Sequence, residues 1–534
     1  MGIAAERYAS GESDRNPFLQ RARDCAALTI PYIAPDQGAS STTDFVTPYQ
    51  SLGARGVRTL SSKLLLALYP NTPFFKYVID DLALGEMNKK GQTDTKRGEV
   101  EAALSSREKA VASEMGPALF RPSASVALQH LLVTGNFLLY VPPEEGRCRG
   151  WRLDQYVVTR APDGRLIEFV IKEAVAPAKL DPEIIAEAGL EDDNRDEKDR
   201  PTPGDDGNLD LYTYGVWDNQ KSKWLVHQEL NDVELESTMG EFDEDELPYI
   251  ALRLNSQPGE SYGRSYVEEY LGDLDALEGL TQSIVEGSAA AARVVFFVSP
   301  NGVTELRVVA EAENLDVVSG NAEDISTLQS NKQQDLGVAQ QQAQSLAQSL
   351  AFAFLMNAAV QRGGERVTAE EIRYLANELD AALGGMYTLL AAEFQAPVVR
   401  LFEKRMEKRR KVPPLPKELV SPMIITGLEA LGRGSDQQNM KMFASDIIQV
   451  LGPEQVIGVL DASEFIKRAA AAYGIDTAGL IKTPEQMQQE QQQAQMMQMM
   501  QQLGPNAVNQ LGGMAQTAMQ APPEGAGPPP PPQG

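Results

Sequence analysis

The residues of this chain best arranged for chemistry are Gly259-Glu260-Ser261-Tyr262-Gly263-Arg264-Ser265, a glycine turn between an apolar run and a helical pattern. Strand, glycine loop and helix is the setting of a phosphate-binding loop, where backbone amides cradle an anion and a lysine reaches its outer oxygens. The mechanics fail here. Arg264 replaces the lysine, and the two glycines are one residue too close for G-x-x-x-x-G-K-[ST]. The turn therefore reads as a device that aims the following segment, with phosphate binding as its sharper rival. Residues 427–434, Gly-Leu-Glu-Ala-Leu-Gly-Arg-Gly, also miss the dinucleotide fingerprint. The acid pairs Glu268-Glu269 and Glu370-Glu371 point in different directions on a helix, so neither makes a two-carboxylate site.

Other chemistry is sparse. His130 and His227 are the only histidines, and both sit inside apolar patterns that suit structural roles. Cys25 and Cys148 are the only cysteines, with no C-x-x-C pair, which excludes a disulfide scaffold or a cysteine-rich zinc site and suits a reducing compartment. No H-E-x-x-H, G-x-S-x-G or Cys–His arrangement occurs, so no catalytic residue, metal or cofactor is expected. One basic stripe remains: Arg400, Lys404, Lys408 and Lys411 at helical spacing, with Arg405, Arg409 and Arg410 beside them. Such a stripe is either a solvated helix face or a nucleic-acid footprint. Arg362 and Arg366, in the loop Gln361-Arg362-Gly363-Gly364-Glu365-Arg366, are better placed to touch a polyanion, because two long helical patterns adjoin them.

The order of elements around that loop is unusual. A helical pattern over residues 263–293 leads into a β-rich insert (294–328), and a second helical pattern follows (332–357). After the glycine loop a third helix begins at Thr368, where Glu371 completes a capping box. It is expected to run to Lys411 with kinks near Gly384-Gly385 and Pro397. The two long helices carry Ala, Ser, Gln and Gly rather than a broad apolar stripe, so they suit packing against copies of themselves. Upstream, helices are predicted over residues 16–30, 48–69 (Thr47 as cap, Pro48 first), 94–115 and 123–134. Strands are predicted over 137–141, a hairpin over 159–171 turning at Pro162-Asp163-Gly164, a pair at 209–217 and 223–230, and a strand at 249–254.

At 534 residues the chain has room for two or three structural regions, with the composition of a folded protein. No run approaches the ~18 apolar residues that cross a bilayer, and no secretory signal opens the sequence. The net charge of −27 is concentrated: residues 181–210 and 229–246 carry −9 each. Both runs read as solvated loops; a functional reading is a surface that DNA slides past, since phosphate neutralisation is what makes binding tight. From Pro484 onward the chain becomes Gln/Met-rich and ends in prolines, a stretch that frays alone and is expected to be disordered at its end.

Several segments together resemble phage portal proteins, the head-to-tail connectors of short-tailed phages of the Autographivirus type. They are Thr43-Asp44-Phe45-Val46-Thr47-Pro48-Tyr49-Gln50-Ser51-Leu52-Gly53-Ala54-Arg55-Gly56 leading to Lys63-Leu64-Leu65-Leu66-Ala67-Leu68-Tyr69-Pro70, the Gly259 turn, Glu365-Arg366-Val367-Thr368-Ala369-Glu370-Glu371-Ile372-Arg373, and Thr426-Gly427-Leu428-Glu429-Ala430-Leu431-Gly432-Arg433-Gly434. The match covers roughly residues 15–480.

The resemblance implies an α+β, mainly helical portal fold assembled as a dodecameric ring. Its parts would be a wing (1–255), first stem helix (256–293), clip (294–328), second stem helix (329–357), tunnel loop (358–367), long wing helix (368–411), crown (412–482) and a C-terminal tail (483–534) that is helical barrel first and then disordered. Double-stranded DNA would pass through the channel, near Arg362, Gly363, Gly364 and Arg366 in the loop and Glu268, Glu269, Asp273 and Lys332 on the stem. Implied partners are the terminase large subunit, scaffold protein, major capsid protein, tail adaptor (tail tubular) proteins and internal core proteins, with no membrane. A tail or adaptor ring, or a cytosolic phosphate-binding enzyme, are the alternatives.

Overall fold

The computed structural model describes residues 2–39, 42–70, 74–75, 77, 94–189, 208–291, 295–313, 316–317, 319–328, 333–356, 378–379, 381–383, 385–412 and, further on, 442–443, 445–447 and 449. The chain divides into two units, Met1–Ser435 and Asp436–Gly534. In the second, the described residues are helical. Nearly all of the region expected as crown, and the whole tail, lie outside the described residues.

The first unit begins with α1 (Ile3–Ala27), α2 (Leu52–Leu68), α3 (Asp94–Glu114) and α4 (Phe120–Thr134). α1 starts far upstream of the predicted residue 16. Its first half is polar, yet Ala4, Tyr8, Arg15, Leu19, Ala22 and Ala26 form one buried stripe. Arg15 extends that stripe by donating to Tyr8 Oη (2.7 Å) and the Asp154 carbonyl (3.0 Å). Gly11 lies so close to the sheet that a Cβ there would meet Val157 at 2.9 Å. α2 begins at Leu52 and not at Pro48. The amides of Tyr49 and Gln50 instead donate to the Glu278 carboxylate (2.7 and 3.0 Å), which holds residues 49–50 out of the helix. Val57, Leu60, Leu64 and Leu68 then turn one face into the core, where Tyr69, Phe74, Phe120, Phe394 and Phe402 meet edge to face.

Eight strands follow: β1 (Asn136–Tyr140), β2 (Arg149–Trp151), β3 (Tyr156–Arg160), β4 (Leu166–Val175), then, after the short α5 (Pro182–Glu187), β5 (Leu209–Asp218), β6 (Lys223–Leu230), β7 (Val233–Phe242) and β8 (Tyr249–Arg253). They form an antiparallel meander, β3-β4-β5-β6-β7, and a smaller sheet, β2-β1-β8. The predicted hairpin turn is present, with Gly164 at φ 88°. The acidic run 229–246 is not the solvated loop it resembles. It holds the edge strand β7, paired with β6 and anchored by buried Leu235. Charged side chains on an edge strand discourage pairing with other chains.

Beyond β8 come α6 (Leu271–Ala291), a two-stranded insert of β9 (Val295–Val298) and β10 (Ile325–Leu328) enclosing α7 (Leu306–Glu311), and α8 (Gln333–Ala353). A 3-10 turn at Val267–Tyr270 precedes α6, so the helix starts later than residue 263. The last long helix is described as α9 (Met386–Leu390), a π turn (Ala391–Gln395) and α10 (Ala396–Lys408). Gly385 breaks it at φ 91°, where a kink was expected, and it stops at Lys408, short of Lys411. Pro397 explains the π turn: it has no N–H for the carbonyl four residues back, and its ring crowds that carbonyl.

Candidate functional site

α6 and α8 form an antiparallel helical hairpin whose far end carries the β9–β10 ribbon. Gly287 of α6 faces Leu336 of α8 so closely that a Cβ would lie 2.8 Å from Leu336 Cδ2. At the other end Tyr266, Tyr270 and Phe354 pack ring to ring, with centroids 5.3–5.9 Å apart. Tyr266 Oη also donates to the Ala353 carbonyl at 2.8 Å. Phe354 is wholly buried and rests on Gly56 of α2, where a Cβ would meet its ring at 2.6 Å. The hairpin is thus joined to the body at this end, through the aromatic cluster and the Glu278 carboxylate that holds the Tyr49 and Gln50 amides.

The outward faces differ from a core helix. Val285, Val338 and Phe352 are at least half exposed, and Cβ atoms added at Gly272, Gly279 or Gly337 would meet nothing within 4 Å. Between them α6 and α8 carry five carboxylates (Asp273, Asp275, Glu278, Glu286 and Asp335) and no Lys or Arg. Gly287→Val is expected to push α6 off α8 at the ribbon end. Proteolysis between residues 271 and 353 should accelerate, and unchanged cleavage would show that Leu336 simply moves aside.

The sequence-derived site residues separate into three groups. Glu268 is engaged by its own chain, 3.3 Å from Arg21 and 3.7 Å from Arg264. Glu269 and Asp273 are exposed; Glu269 accepts a long 3.4 Å bond from Asn255 Nδ2. Lys332, Arg362, Gly363, Gly364 and Arg366 lie outside the described residues. Glu278 has a role that the sequence did not show: its carboxylate accepts from the Tyr49 and Gln50 amides and ties α6 to the segment before α2.

The glycine turn spends its polar groups internally. Gly263 exchanges two 2.7 Å bonds with the Asn136 side chain. The Arg264 amide donates to the Asn255 carbonyl (2.8 Å), and the Arg264 guanidinium pairs with Glu260 at 2.6 Å. Ser265 Oγ donates to the Leu132 carbonyl and accepts from the Glu268 amide. Amides committed in this way cannot cradle a phosphate, so the turn fixes the direction of α6.

Six of the seven basic residues named around the stripe are likewise committed. Arg400 pairs with Asp245 (3.0 Å), while Lys404 and Lys408 flank Glu246 (3.1 and 3.3 Å). Arg405, Arg409 and Lys411 converge on nearly buried Glu114 (3.4, 2.6 and 2.7 Å). Arg107 bridges Glu403 and Glu407 at 2.7 and 2.5 Å. Burial alone would raise the Glu114 carboxyl, but the Lys411 hydrogen bond and the Lys411, Arg409 and Arg405 charges outweigh it and hold the group below its ordinary value. Burial dominates at Glu403 and holds its carboxyl up. His130 is pushed down to about 3 by burial, with Arg152 adding to it, and so stays neutral. The stripe is an internal clamp between α10, α3 and the turn before β8. Among the described residues no cluster of three or more His, Cys, Asp or Glu could hold a metal, and no helix is long and apolar enough to cross a membrane.

The chain has relatives among phage proteins. It is 38% identical over 486 residues to the portal protein of Escherichia phage T7, covering 90% of this chain and 88% of that one. It is 39% identical over 479 residues to the portal protein of Enterobacteria phage T3 (89% and 87% covered), and 30% over 480 residues to that of Pseudomonas phage phiKMV (88% and 90%). Among solved structures, the neck of a native gene transfer agent particle computed with C12 symmetry covers 80% of this chain and 90% of its own at 12% identity. Its TM-score is 0.34, too low to carry an argument. The family described as bacteriophage head to tail connecting protein matches residues 2–481. The chain belongs to the bacteriophage head-to-tail connecting protein family.

Proposed function

We propose that this protein is the portal of a short-tailed phage: a ring of twelve copies at one capsid vertex, through which double-stranded DNA is packaged and later ejected. The observation that carries the reading is the α6–α8 hairpin, whose carboxylates, absent cations and open glycines suit a crowded, weakly DNA-binding channel wall. Charge supplies the reason. Each neutralised phosphate adds salt-dependent affinity, so a wall without Lys or Arg lets a polyanion slide. The family membership and the portal relatives support the same assignment.

On this reading α6 and α8 are the stem, the β9–β10 ribbon is the clip, and residues 358–367 are the tunnel loop. Residues 1–255 and 368–411 form the wing, and 412–482 the crown. Arg362 and Arg366, repeated around the ring, add a thin positive collar to an acidic channel, with Gly363 and Gly364 giving the loop freedom and Lys332 standing at the start of the second stem helix. The ring nucleates head assembly with scaffold protein and major capsid protein, docks the terminase large subunit, contacts internal core proteins, and finally binds tail adaptors. Nucleotide hydrolysis belongs to the terminase, not to this chain.

Two measurements test this. Negative-stain images of the purified protein should show twelve-fold or thirteen-fold rings; a stable monomer that hydrolyses nucleotide would overturn the assignment. Replacing Arg362 and Arg366 together by alanine should leave rings intact and alter DNA packaging or retention. Loss of rings would instead make the two arginines interface residues. A tail or adaptor ring is the second reading, and binding of the terminase large subunit separates it from a portal.

A further inference from the structure

The long helix that ends at Lys408 is interrupted by the Ala391–Gln395 π turn, and the interruption lies against the last turn of α2. Tyr387 Oη donates to the Ala67 carbonyl at 3.3 Å, and Gln395 Nε2 donates to the Leu68 carbonyl. Side chains eight residues apart thereby satisfy two carbonyls at the open end of a helix. Eight α-helical steps would leave those side chains about 80° apart. The wider π turn, closing on i→i+5 bonds, removes much of that angle and brings both to one face.

The arrangement is incompletely satisfied. Gln395 Oε1 and Tyr69 Oη, side-chain oxygens of two residues that meet at the end of α2, are both buried without a hydrogen-bond partner among the described residues. Buried polar atoms left unpaired disfavour the state that contains them. Downstream, the structure is held firmly: Phe394 sits in the aromatic core and α10 is clamped by its ion pairs. Upstream, Gly385 at φ 91° separates α9 from what precedes it, a natural pivot.

We propose that residues 391–395 form a two-register element. In the π register, seen here, Tyr387 and Gln395 both cap α2. In the α register the segment 386–390 turns by about one residue, roughly 100°, and Tyr387 leaves Ala67, while Gln395, Phe394 and α10 stay in place. Pro397 biases the choice toward the π register, because its ring crowds the carbonyl four residues back that an α turn would bring beneath it.

The test uses full-length protein in its assembled form. In Pro397→Ala, a map at side-chain resolution should show an α turn through 391–395 with Tyr387 Oη withdrawn from the Ala67 carbonyl. Amide exchange across 386–390 should change by about tenfold while α10 remains as protected as before. Retention of the π turn with Tyr387 still on Ala67 would overturn the proposal, as would loss of α10 protection together with that of 386–390. Tyr387→Phe, which removes the cap and leaves Pro397, should speed exchange across 386–390 without affecting α10; unchanged exchange there also overturns it, including where Pro397→Ala fails to fold.

Discussion

Phe354→Ala is expected to lower the stability of the described body by about 3–5 kcal/mol, the range for emptying a fully buried phenylalanine site. The ring is wholly buried among Tyr266, Tyr270 and Gly56. Gly56 has no side chain that could swing into the vacancy, and Tyr266 is held by its bond to Ala353. The cavity should therefore persist. The effect is local as well as global, because this cluster is where α6 and α8 join α2. Chemical denaturation should show the loss, and limited proteolysis should show cleavage between residues 271 and 353 rising first. Equal stability of variant and parent would mean that the hairpin is held elsewhere.

Glu114→Gln is the second substitution with a large expected cost, about 2–4 kcal/mol, as for breaking a largely buried ion pair by removing one partner. Glutamine leaves Arg405, Arg409 and Lys411 crowded together without the carboxylate that balances them. The sign with pH follows from the same geometry. The carboxyls of Glu114 and Glu246 lie below their ordinary value in the fold, because the neighbouring cations outweigh the upward pull of burial. Their contribution is complete above the unfolded carboxyl value, about 4.3, and is lost as pH falls through the lower folded value. Glu403, raised by burial, acts in the opposite sense and offsets part of that loss. Denaturation between about pH 6 and 3 should show stability falling toward acid, less steeply in Glu114→Gln than in the parent. Parallel pH profiles would remove Glu114 from the account.

What could be read from the sequence was local. Pro162-Asp163-Gly164 declared its hairpin, Gly385 its break, and the alternation at 209–217 and 223–230 its strand pair, because neighbours a few residues apart decide each of these. Where the reading failed, a distant partner decided. Thr47-Pro48 is a good local start for a helix, yet Glu278, 229 residues from Tyr49, takes the amides and delays α2 to Leu52. The run 229–246 has the composition of a loop, but pairing with β6 and the burial of Leu235 make it a strand. Arg400 to Lys411 read as a solvated face or a polyanion footprint and not as a clamp, since their carboxylate partners on α3 and before β8 are more than 150 residues away. The candidate site was legible as an order of elements and a composition: two small-residue helices around a β insert. The orientation of Glu268 inward and of Asp273 outward was not: Arg264, four residues before Glu268, is a local partner, but the second cation, Arg21, comes from α1 far upstream.

The aromatic joint beneath the hairpin also has a mechanical meaning. α6 has 21 residues, a rigid arm of roughly 32 Å at 1.5 Å per residue. Its support is concentrated at one end, and the ribbon it carries is at the other. A tilt of about 10° about Tyr266, Tyr270 and Phe354 therefore moves the ribbon by roughly 5 Å over that arm length. Small adjustments in the body are delivered at the tip as displacements the size of a side chain.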